Sequence, residues 1–356
     1  MASYDGRSCD EKLSNYQTVS ILGHCFDSKA MVYLAKHIPS GSMVAIKKFD
    51  MDKIKKGIDL VESEIILTRQ LCHPHIINYF AAFVAGQEVC VATPLMGYGS
   101  CRDLLVRHFN EGLPEPAIIT IIRDVLDALV YIHDKGYIHR AIRASHILVS
   151  ADGYACLAGM RYACPIVANG KWQRSIHSFP ATTEKNLNWL SPELLEQNLQ
   201  GYNEKSDIYS IGIVLCELAN GTEPFSGMSK TLMLTEKVRG WKPQLLDRTT
   251  VSKEENLDSG GDCEMSTNVL NRRFSDDLHE LTGQCLNRDM YDRPSASQLL
   301  AHPIFKTIKK SLPLPELLKP ALPLNDRVGY DTEEMKNFDM INQMTELDLN
   351  SCEWDF

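Results

Sequence analysis

The stretch His139-Arg140-Ala141-Ile142-Arg143-Ala144-Ser145-His146-Ile147-Leu148-Val149 decides the fold of this chain of 356 residues. It begins with a basic pair and ends in three apolar residues, which are typical of a short buried strand. Residues 117–135 precede it, with apolar side chains at helical spacing at Ile118, Ile121, Ile122, Val125 and Leu129. The pattern predicts a helix, then a loop that carries the basic pair, then a strand.

Upstream of this loop, a second set of motifs pairs a lysine with an acid. Val44-Ala45-Ile46-Lys47 is predicted to lie on a strand and Glu64 on the next helix, and His73-Pro74-His75-Ile76 begins nine residues after that acid. A strand lysine that pairs with a helix glutamate can present its ammonium to the α- and β-phosphates of a nucleotide. On its own the lysine motif is common, and an edge-strand lysine in solvent is the ordinary alternative.

Downstream motifs strengthen the first interpretation. Ser191-Pro192-Glu193, Asp207-Ile208-Tyr209-Ser210 and Arg293-Pro294 follow the loop in an order and spacing that resemble those of a protein kinase, over about residues 16–305. Glu193 and Arg293 resemble the buried ion pair that ties the end of the activation segment to the large lobe, and we expect a scaffold role for them.

The resemblance implies an α+β, bilobal protein-kinase-like fold, with a small β-rich N-lobe and a large helical C-lobe. The segment 247–273 is rich in Ser, Thr, Glu and Asn, which predicts a polar surface insert. The Pro-rich run from 312 to 324 predicts an extended linker. The predicted parts are an N-terminal extension (1–15), the N-lobe (16–92), the hinge (93–97), the C-lobe (98–305) with its insert (247–273), the linker (306–330) and an acidic tail (331–356).

Composition also excludes several classes of protein. Hydrophobic residues make up 44% and charged residues 23%, so disorder throughout and a disulfide scaffold are excluded. The longest apolar run, around residues 208–218, is interrupted by Ser210 and Glu217 and predicts a buried helix, not a membrane span. The eleven cysteines form no Cys-x-x-Cys pair, which favours reduced thiols and argues against a structural zinc.

Charge and the N-terminus bear on partners and location. The tail carries eight acids and one lysine, so it holds −7 of the net charge of −9 and leaves −2 for the remaining residues. We therefore expect no nucleic-acid binding, while a basic partner for the tail is plausible. Residues 1–11 have no apolar signal core, so the chain is expected to stay inside the cell.

The chain departs from the kinase pattern wherever phosphoryl transfer is carried out. Ala141 stands where a kinase has the aspartate that accepts the substrate's hydroxyl proton, and His146 stands where an asparagine holds magnesium. The Asp-Phe-Gly triplet reads Gly159-Met160-Arg161, so Gly159 replaces the metal-binding aspartate. The phosphate-covering loop at 23–28 keeps one glycine of three. Since loss of the base alone costs about 10² to 10⁴ in rate, we expect no detectable phosphoryl transfer and no bound metal.

The adenine-binding part of a kinase is still recognisable. The hinge Thr93-Pro94-Leu95-Met96 offers a carbonyl at Pro94 and an amide at Met96, and proline removes only an amide. Lys47 and Arg143 supply positive charge, so we expect ATP to bind without a metal and without hydrolysis. The candidate nucleotide-binding residues are Gly23, Ala45, Lys47, Glu64, Pro94, Met96 and Arg143.

The last residues form a further candidate site. Cys352-Glu353-Trp354-Asp355-Phe356 places two aromatic side chains beside a free carboxylate. Buried Trp and Phe side chains are typical of interface hot spots, whereas an untethered terminus is the ordinary alternative. We expect Trp354, Asp355 and Phe356 to bind a partner.

Several motifs together are similar to those of the STRAD adaptor pseudokinases of the sterile-twenty kinase group, and the strand of Lys47 together with Asp355 is more similar to the beta than to the alpha member. The motifs that carry this resemblance are Met96-Gly97-Tyr98-Gly99-Ser100, the stretch 139–148, Trp189-Leu190-Ser191-Pro192-Glu193, Gln197-Asn198-Leu199-Gln200-Gly201-Tyr202 and Trp354-Asp355-Phe356.

The resemblance implies a catalytically inactive adaptor found in cytoplasm and nucleus. Such an adaptor binds and allosterically activates the tumour-suppressor Ser/Thr kinase liver kinase B, together with a helical-repeat scaffold of the calcium-binding-protein-39 family, and draws that kinase into the cytoplasm. By the same resemblance Trp354 and Phe356 sit in a scaffold pocket. Activation requires that the adaptor bind the active kinase more tightly than the inactive one, and we expect the large-lobe face around residues 161–189 to make these contacts. Two alternatives stay open: a nucleotide-gated switch, and a weakly active Ser/Thr kinase of the sterile-twenty group.

Overall fold

The computed structural model describes residues 12–25, 29–54, 57–168, 170–180, 186–197, 200–251, 269 and 271–324. Most of the predicted N-terminal extension and the whole acidic tail lie outside the described residues.

Five antiparallel strands and one helix form the small lobe. The chain turns between the second and third strands at Pro39-Ser40-Gly41, where Gly41 has a φ of +71° that residues with a side chain rarely adopt. The elements, with sheet order β1-β2-β3-β5-β4, are β1 (Tyr16–Cys25), β2 (Ala30–His37), β3 (Met43–Asp50), α1 (Ile58–Gln70), β4 (Ala81–Ala85) and β5 (Glu88–Pro94).

Helices and short strands form the large lobe. Its helices are α2 (Cys101–Arg107), α3 (Glu115–Asp134), α4 (Pro192–Glu196), α5 (Lys205–Asn220), α6 (Lys230–Arg239), α7 (Asp276–Cys285), α8 (Ala296–Leu300) and α9 (Leu314–Leu317). Its strands are β6 (Gly99–Ser100), β7 (Tyr137–Ile138), β8 (Ile147–Val149), β9 (Ala155–Leu157), β10 (Cys164–Pro165), β11 (Val167–Ala168) and β12 (Lys171–Trp172). The predicted α+β, bilobal arrangement is confirmed.

Helix α5 lies at the centre of the large lobe. Every residue from Ser206 to Ala219 is buried, which confirms the buried helix predicted from the apolar run. Gly212 allows the side chain of Leu286 to pack directly against the backbone of α5, because a Cβ at Gly212 would stand 2.6 Å from Leu286 Cγ. None of the helices in the described ranges combines the length and the apolar character needed to cross a bilayer.

One apolar cluster joins the two lobes. It includes Val32 and Ala45 from the sheet, Met96 from the hinge, and Leu148 and Ala158 from the large lobe, each at most 3% exposed. The two lobes therefore share buried apolar contacts across the cleft.

The Pro-rich segment beyond the large lobe is folded, so the prediction of an extended linker over 306–330 is wrong for the part described. Leu314, Leu318 and Ala321 are buried in the main core of the large lobe. The N–H of Leu324 then donates to the Gly97 carbonyl beside the hinge at 2.8 Å. The prediction relied on proline content, but the leucines between the prolines bury enough apolar surface to hold the segment in place.

The two ends of the predicted polar insert (247–273) are anchored and are not free surface. Asp247 is fully buried and accepts from the Phe274 N–H at 2.9 Å. Arg272 donates to the Leu246 carbonyl at 2.6 Å and also to the Glu111 carbonyl. Polar composition predicted a surface position for these ends, and this prediction is wrong. Sequence alone does not distinguish a polar residue that is buried and hydrogen-bonded from one that is exposed to solvent. Residues 252–268 lie outside the described ranges.

Candidate functional site

The structure brings the predicted pair of Lys47 and Glu64 together in the small lobe. Lys47 Nζ on β3 lies 2.9 Å from Glu64 Oε1 on α1, and both side chains are at most 2% exposed. β3 pairs with β2 on one side and β5 on the other, which places Lys47 opposite Val32 and Val91. Lys47 is therefore not an edge-strand lysine in solvent.

Glu64 carries a negative charge that several groups share. The Tyr79 hydroxyl donates to its Oε1 at 2.5 Å. Burial by itself would raise the pKa of Glu64, but the charges of Lys47 and Arg161 outweigh burial and hold this pKa below its ordinary value. Burial and the nearby Glu64 charge raise the pKa of Tyr79 well above its ordinary value, so the phenol remains a donor.

Arg161 belongs to this group, and sequence reasoning did not assign it a role there. Its Nε lies 3.5 Å from Glu64 Oε2, and its side chain is 4% exposed. The short helical turn Met160–Tyr162 positions it and starts after Gly159, which has a φ of +85°. A signal was present, because an arginine stands where the Asp-Phe-Gly triplet has glycine, but the triplet was interpreted only as the loss of a carboxylate.

His146 is held as a neutral ring at the place of the metal-binding asparagine. Its Nδ1 lies 2.5 Å from the Ala141 carbonyl, and Arg143 Nε lies 3.3 Å from its Nε2. Burial, followed by the charges of Arg143 and Arg161, lowers the pKa of His146 well below its ordinary value. The neutral ring therefore donates from Nδ1 and accepts from Arg143 at Nε2.

The substitutions at positions 146 and 159 form one steric arrangement. A Cβ added to Gly159 would stand 2.7 Å from His146 Nδ1 and 2.9 Å from its Cγ, closer than real Cβ contacts allow. The imidazole thus fills the space that a carboxylate at position 159 would need. In the described ranges, no three His, Cys, Asp or Glu side chains come together as a metal site requires.

Asp207, at the start of α5, fixes the basic pair of the loop. Its carboxylate accepts from the backbone N–H of His139 and of Arg140, each at 2.8 Å. Arg140 has a φ of +62°, and its side chain donates to the Tyr162 carbonyl at 2.6 Å and the Tyr202 hydroxyl at 2.9 Å. These bonds offset the cost of about 1–2 kcal/mol for a left-handed arginine and tie the loop to the segment that follows it.

Glu217 connects the loop to the end of the activation segment (161–189). Its Oε2 accepts from the Trp189 indole N–H at 2.9 Å and from the Ala144 N–H at 3.3 Å. Burial, followed by the charge of Glu223, raises the pKa of Glu217 to about 7. The group therefore changes charge near neutral pH at a point where two segments meet.

The activation segment has an exposed aromatic surface. Trp172 is 59% exposed and Phe179 is 39% exposed, whereas Trp189 at its end is buried. Exposed aromatic side chains of this size suit a protein interface.

The other predicted nucleotide-binding residues lie around the cleft. Ala45 and Met96 belong to the interlobe cluster, and the Pro94 carbonyl accepts from Thr93 Oγ1 at 3.3 Å. Gly23 lies on β1 opposite Val32. Residues 26–28 of the phosphate-covering loop lie outside the described ranges, and the nucleotide assignments stay predictions.

The charge and the packing of the side chains around the cleft bear on which cofactor they would fit. Lys47, Arg143 and Arg161 are cationic side chains, each at most 9% exposed. They fit the phosphates of a nucleotide, because guanidinium and ammonium groups pair with phosphate oxygens. They do not fit magnesium, since the ring of His146 occupies the room of the carboxylate. The predicted partner-binding residues Trp354, Asp355 and Phe356 lie outside the described residues.

Comparison with known proteins gives relatives along most of the chain. The sequence pattern of the protein kinase domain family matches residues 16–305. Human STE20-related kinase adapter protein alpha is 39% identical over 96% of this chain and 84% of the relative. The chicken alpha protein is 42% identical over 89% of this chain and 87% of the relative. Human STE20-related kinase adapter protein beta is 37% identical over 85% of this chain and 78% of the relative.

The resemblance to this group of adaptors is thus confirmed, but the preference for its beta member is not supported. The alpha relatives match at higher identity over a larger share of the chain than the human beta protein does. Two features, the strand of Lys47 and Asp355, were too few to weigh against the whole sequence.

Proposed function

The chain belongs to the protein kinase family and, within it, to the STE20-related kinase adapter proteins, and from this premise we propose that it is a catalytically inactive adaptor. In this proposal it binds and allosterically activates the Ser/Thr kinase liver kinase B, in a ternary complex with a scaffold of the calcium-binding-protein-39 family. It also promotes the cytoplasmic localisation of that kinase and itself occurs in cytoplasm and nucleus.

The observation that supports the inactive state best is the contact between His146 and Gly159. Ala141 cannot accept a proton, and His146 stands where an aspartate at position 159 would hold magnesium. Phosphoryl transfer needs both the positioned base and the metal. Enzymes lower reaction barriers by about 10 kcal/mol or more in total, and each of these two groups contributes several kcal/mol to that total. Their combined loss favours an adaptor over an enzyme.

Activation without chemistry requires differential binding. An adaptor shifts its partner toward the active state only by as much as it binds that state more tightly, since equal affinity shifts nothing. The anchoring of Arg140 to the carbonyls of Tyr162 and Ser178 supports a preformed arrangement of the described residues 161–180, which presents Trp172 and Phe179 to a partner without prior phosphorylation. A preformed surface keeps the ordering cost of binding low.

Reconstitution with purified components tests this function. The wild-type chain and a chain ending at Glu353 are each mixed with liver kinase B and the scaffold, and kinase activity and complex mass are measured. We expect the wild type to activate the kinase and the truncated chain to lose most of this effect, because Trp354 and Phe356 are the proposed scaffold anchors. Full-length Ser351→Ala serves as a control that keeps all three predicted partner-binding residues, and equal activation by all three chains would disprove the tail assignment.

A nucleotide-gated form of this adaptor is the second candidate. The intact Lys47–Glu64 pair favours it, because this pair lies where a kinase presents its lysine to nucleotide phosphates, and a buried ion pair adds little stability by itself. We propose that ATP binds through Lys47, Arg143 and Arg161 without a metal.

A thermal-shift titration with millimolar ATP in excess EDTA tests nucleotide binding. The wild-type melting temperature is expected to rise, and Lys47→Met is expected to abolish the rise. Lys48→Met, on the same strand but partly exposed, is the matched control. If no shift occurs with the wild type, with or without the partner proteins, metal-free ATP binding is excluded.

A weakly active kinase is the remaining alternative. Transfer of labelled γ-phosphate from magnesium ATP to a peptide is measured with the wild type and Lys47→Met. Labelling that disappears with Lys47→Met would support catalysis, because a contaminating kinase does not respond to that substitution.

A further inference from the structure

Residues 311–324, which we name the strap, are held against the large lobe at several points. Leu314 is 3% exposed, Leu318 is fully buried and Ala321 is 3% exposed. The turn between β8 and β9 packs tightly on the strap, since a Cβ at Gly153 would stand 2.5 Å from Pro315 Cδ. The strap therefore has specific packing and is not merely adsorbed on the surface.

The strap ends at the hinge between the lobes. The Leu318 N–H donates to the Leu314 carbonyl at 3.0 Å, and the Ala321 N–H to the Leu318 carbonyl at 2.8 Å. The Leu324 N–H then donates to the Gly97 carbonyl at 2.8 Å, next to Met96 of the interlobe cluster. The chain thus runs from the core of the large lobe back to the hinge.

We propose that the strap is a positioning device that fixes the start of the C-terminal tail at the hinge, so that a protein held by the tail acts on the arrangement of the two lobes. The second half of this statement rests on the function proposed above. Hinges are short segments whose backbone absorbs lobe movement, so a tether attached there transmits force to the cleft. A tether that left the lobe at residue 310 would act on the large lobe alone.

Release of the strap would also lengthen the tether between the large lobe and a protein bound to the tail, but this change in length has only a small effect. The chain beyond residue 324 has 32 residues, and release of the strap would give 46 beyond residue 310. For an ideal flexible chain, effective concentration falls with about the −3/2 power of length, so release would lower it only about twofold. A loss of activation clearly larger than twofold must therefore come from the lost attachment at the hinge.

The test uses the full-length chain with two matched double substitutions. Leu314→Ser with Leu318→Ser removes buried leucines, whereas Leu312→Ser with Leu322→Ser changes leucines that are 63% and 60% exposed. Hydrogen exchange is measured at the Leu324 and Ala321 amides. We expect exchange at both to rise by about tenfold or more in the first variant and to stay unchanged in the second.

Activation of liver kinase B in the reconstituted complex is the second measurement. We expect the buried double variant to lose clearly more than twofold and the exposed one to match the wild type. If the wild type itself does not activate the kinase, the proposed function fails, while hydrogen exchange still decides whether the strap is attached.

Three results would overturn the inference. The first is a Leu324 amide that exchanges at the unprotected rate in the wild type, a measurement that no misfolded variant can disturb. The second is continued protection of Leu324 and Ala321 in the buried double variant. The third is a variant whose strap is detached by hydrogen exchange and whose large lobe melts at the wild-type temperature, but which still activates the kinase to within twofold of the wild type.

Discussion

The ring of His146 occupies the space that a side chain at position 159 would need. A change at either position alone should cost stability, because an aspartate at 159 would meet the ring and an asparagine at 146 would leave its space partly empty. Arg143 and Arg161 then supply positive charge near this point, and both contribute to the low pKa of His146. The departures at positions 146 and 159 are thus sterically coupled and are not two independent changes.

Gly159→Asp is expected to destabilise the chain without creating a magnesium site. Insertion of a side chain into a packed space costs about 1–3 kcal/mol, and His146→Asn in the same chain should recover most of that loss. Gly41→Asp is the control, since Gly41 has a similar φ of +71° and no atom within 4 Å of its added Cβ. Urea unfolding of the three variants measures the difference, and equal losses for Gly159→Asp and Gly41→Asp would contradict the steric argument.

Glu217 should make stability fall as pH rises toward neutral. Burial raises its pKa from 4.5 to about 7, so the folded chain binds more protons than the unfolded chain between these values. The protonated group's contribution is present below pH 4.5 and is lost as pH passes about 7, a change of about 3 kcal/mol. Glu217→Gln should flatten the dependence of the unfolding free energy on pH between about pH 5 and 7.

The control for Glu217→Gln is Glu316→Gln, because the Glu316 side chain is 51% exposed. Urea unfolding at several pH values gives the slopes. Parallel curves for wild type and Glu217→Gln would show that another group governs this range.

Secondary-structure elements are joined in this chain by polar contacts as well as by apolar packing. Helix α4 is held by Arg293, whose Nη1 and Nη2 lie 2.6 and 2.8 Å from the two oxygens of Glu193. Arg293 also donates to the Asn287 carbonyl at 2.7 Å and the Arg288 carbonyl at 3.0 Å. The predicted scaffold pair thus connects α4, which follows the activation segment, to the loop that precedes α8.

Arg293→Met is expected to lower the free energy of unfolding by about 3–5 kcal/mol, because it leaves the buried Glu193 carboxylate without its cation. Arg288→Met tests the same helix at its surface, since Arg288 lies 3.8 Å from Glu196 and is 57% exposed. That exposed pair should contribute less than about 1 kcal/mol. Similar losses for both variants in urea unfolding would refute the scaffold role.

At the scale of the whole molecule, the interlobe cluster makes the lobes one unit. Leu148 is 1% exposed and lies on β8 of the large lobe, yet it packs with Val32 and Ala45 of the sheet. The strap adds a second connection between the large lobe and the hinge. The two lobes are therefore expected to resist separation, because opening the cleft would expose this buried apolar surface.

Leu148→Ala should lower the stability by about 2–5 kcal/mol and uncouple the lobes, because a cavity would form in the shared cluster. Calorimetry is expected to show the small lobe melting before the large one. Leu312→Ala, at a leucine that is 63% exposed, should leave one transition at the wild-type temperature. A single transition for Leu148→Ala at that same temperature would contradict an interlobe role.

Much of the site could be predicted because kinase motifs have a fixed order. The spacing of Lys47 and Glu64 predicted their pairing, and the apolar run in α5 predicted its burial. The role of Arg161 could not be predicted in this way, since its contact with Glu64 depends on the turn that Gly159 permits. The packing of the strap was not predicted, because proline content does not indicate which leucines are buried in the core of the large lobe.

The sequence by itself determined the two-lobed architecture, the absence of a proton acceptor at Ala141 and the membership of an adaptor family. Periodicity and motif order suffice for these features, because they depend on residue type and spacing. Only the tertiary structure decided that His146 blocks position 159, that Arg161 joins the Glu64 group and that the strap ends at the hinge. Each of these depends on which residues distant in sequence exclude water from one another, and local sequence does not specify that.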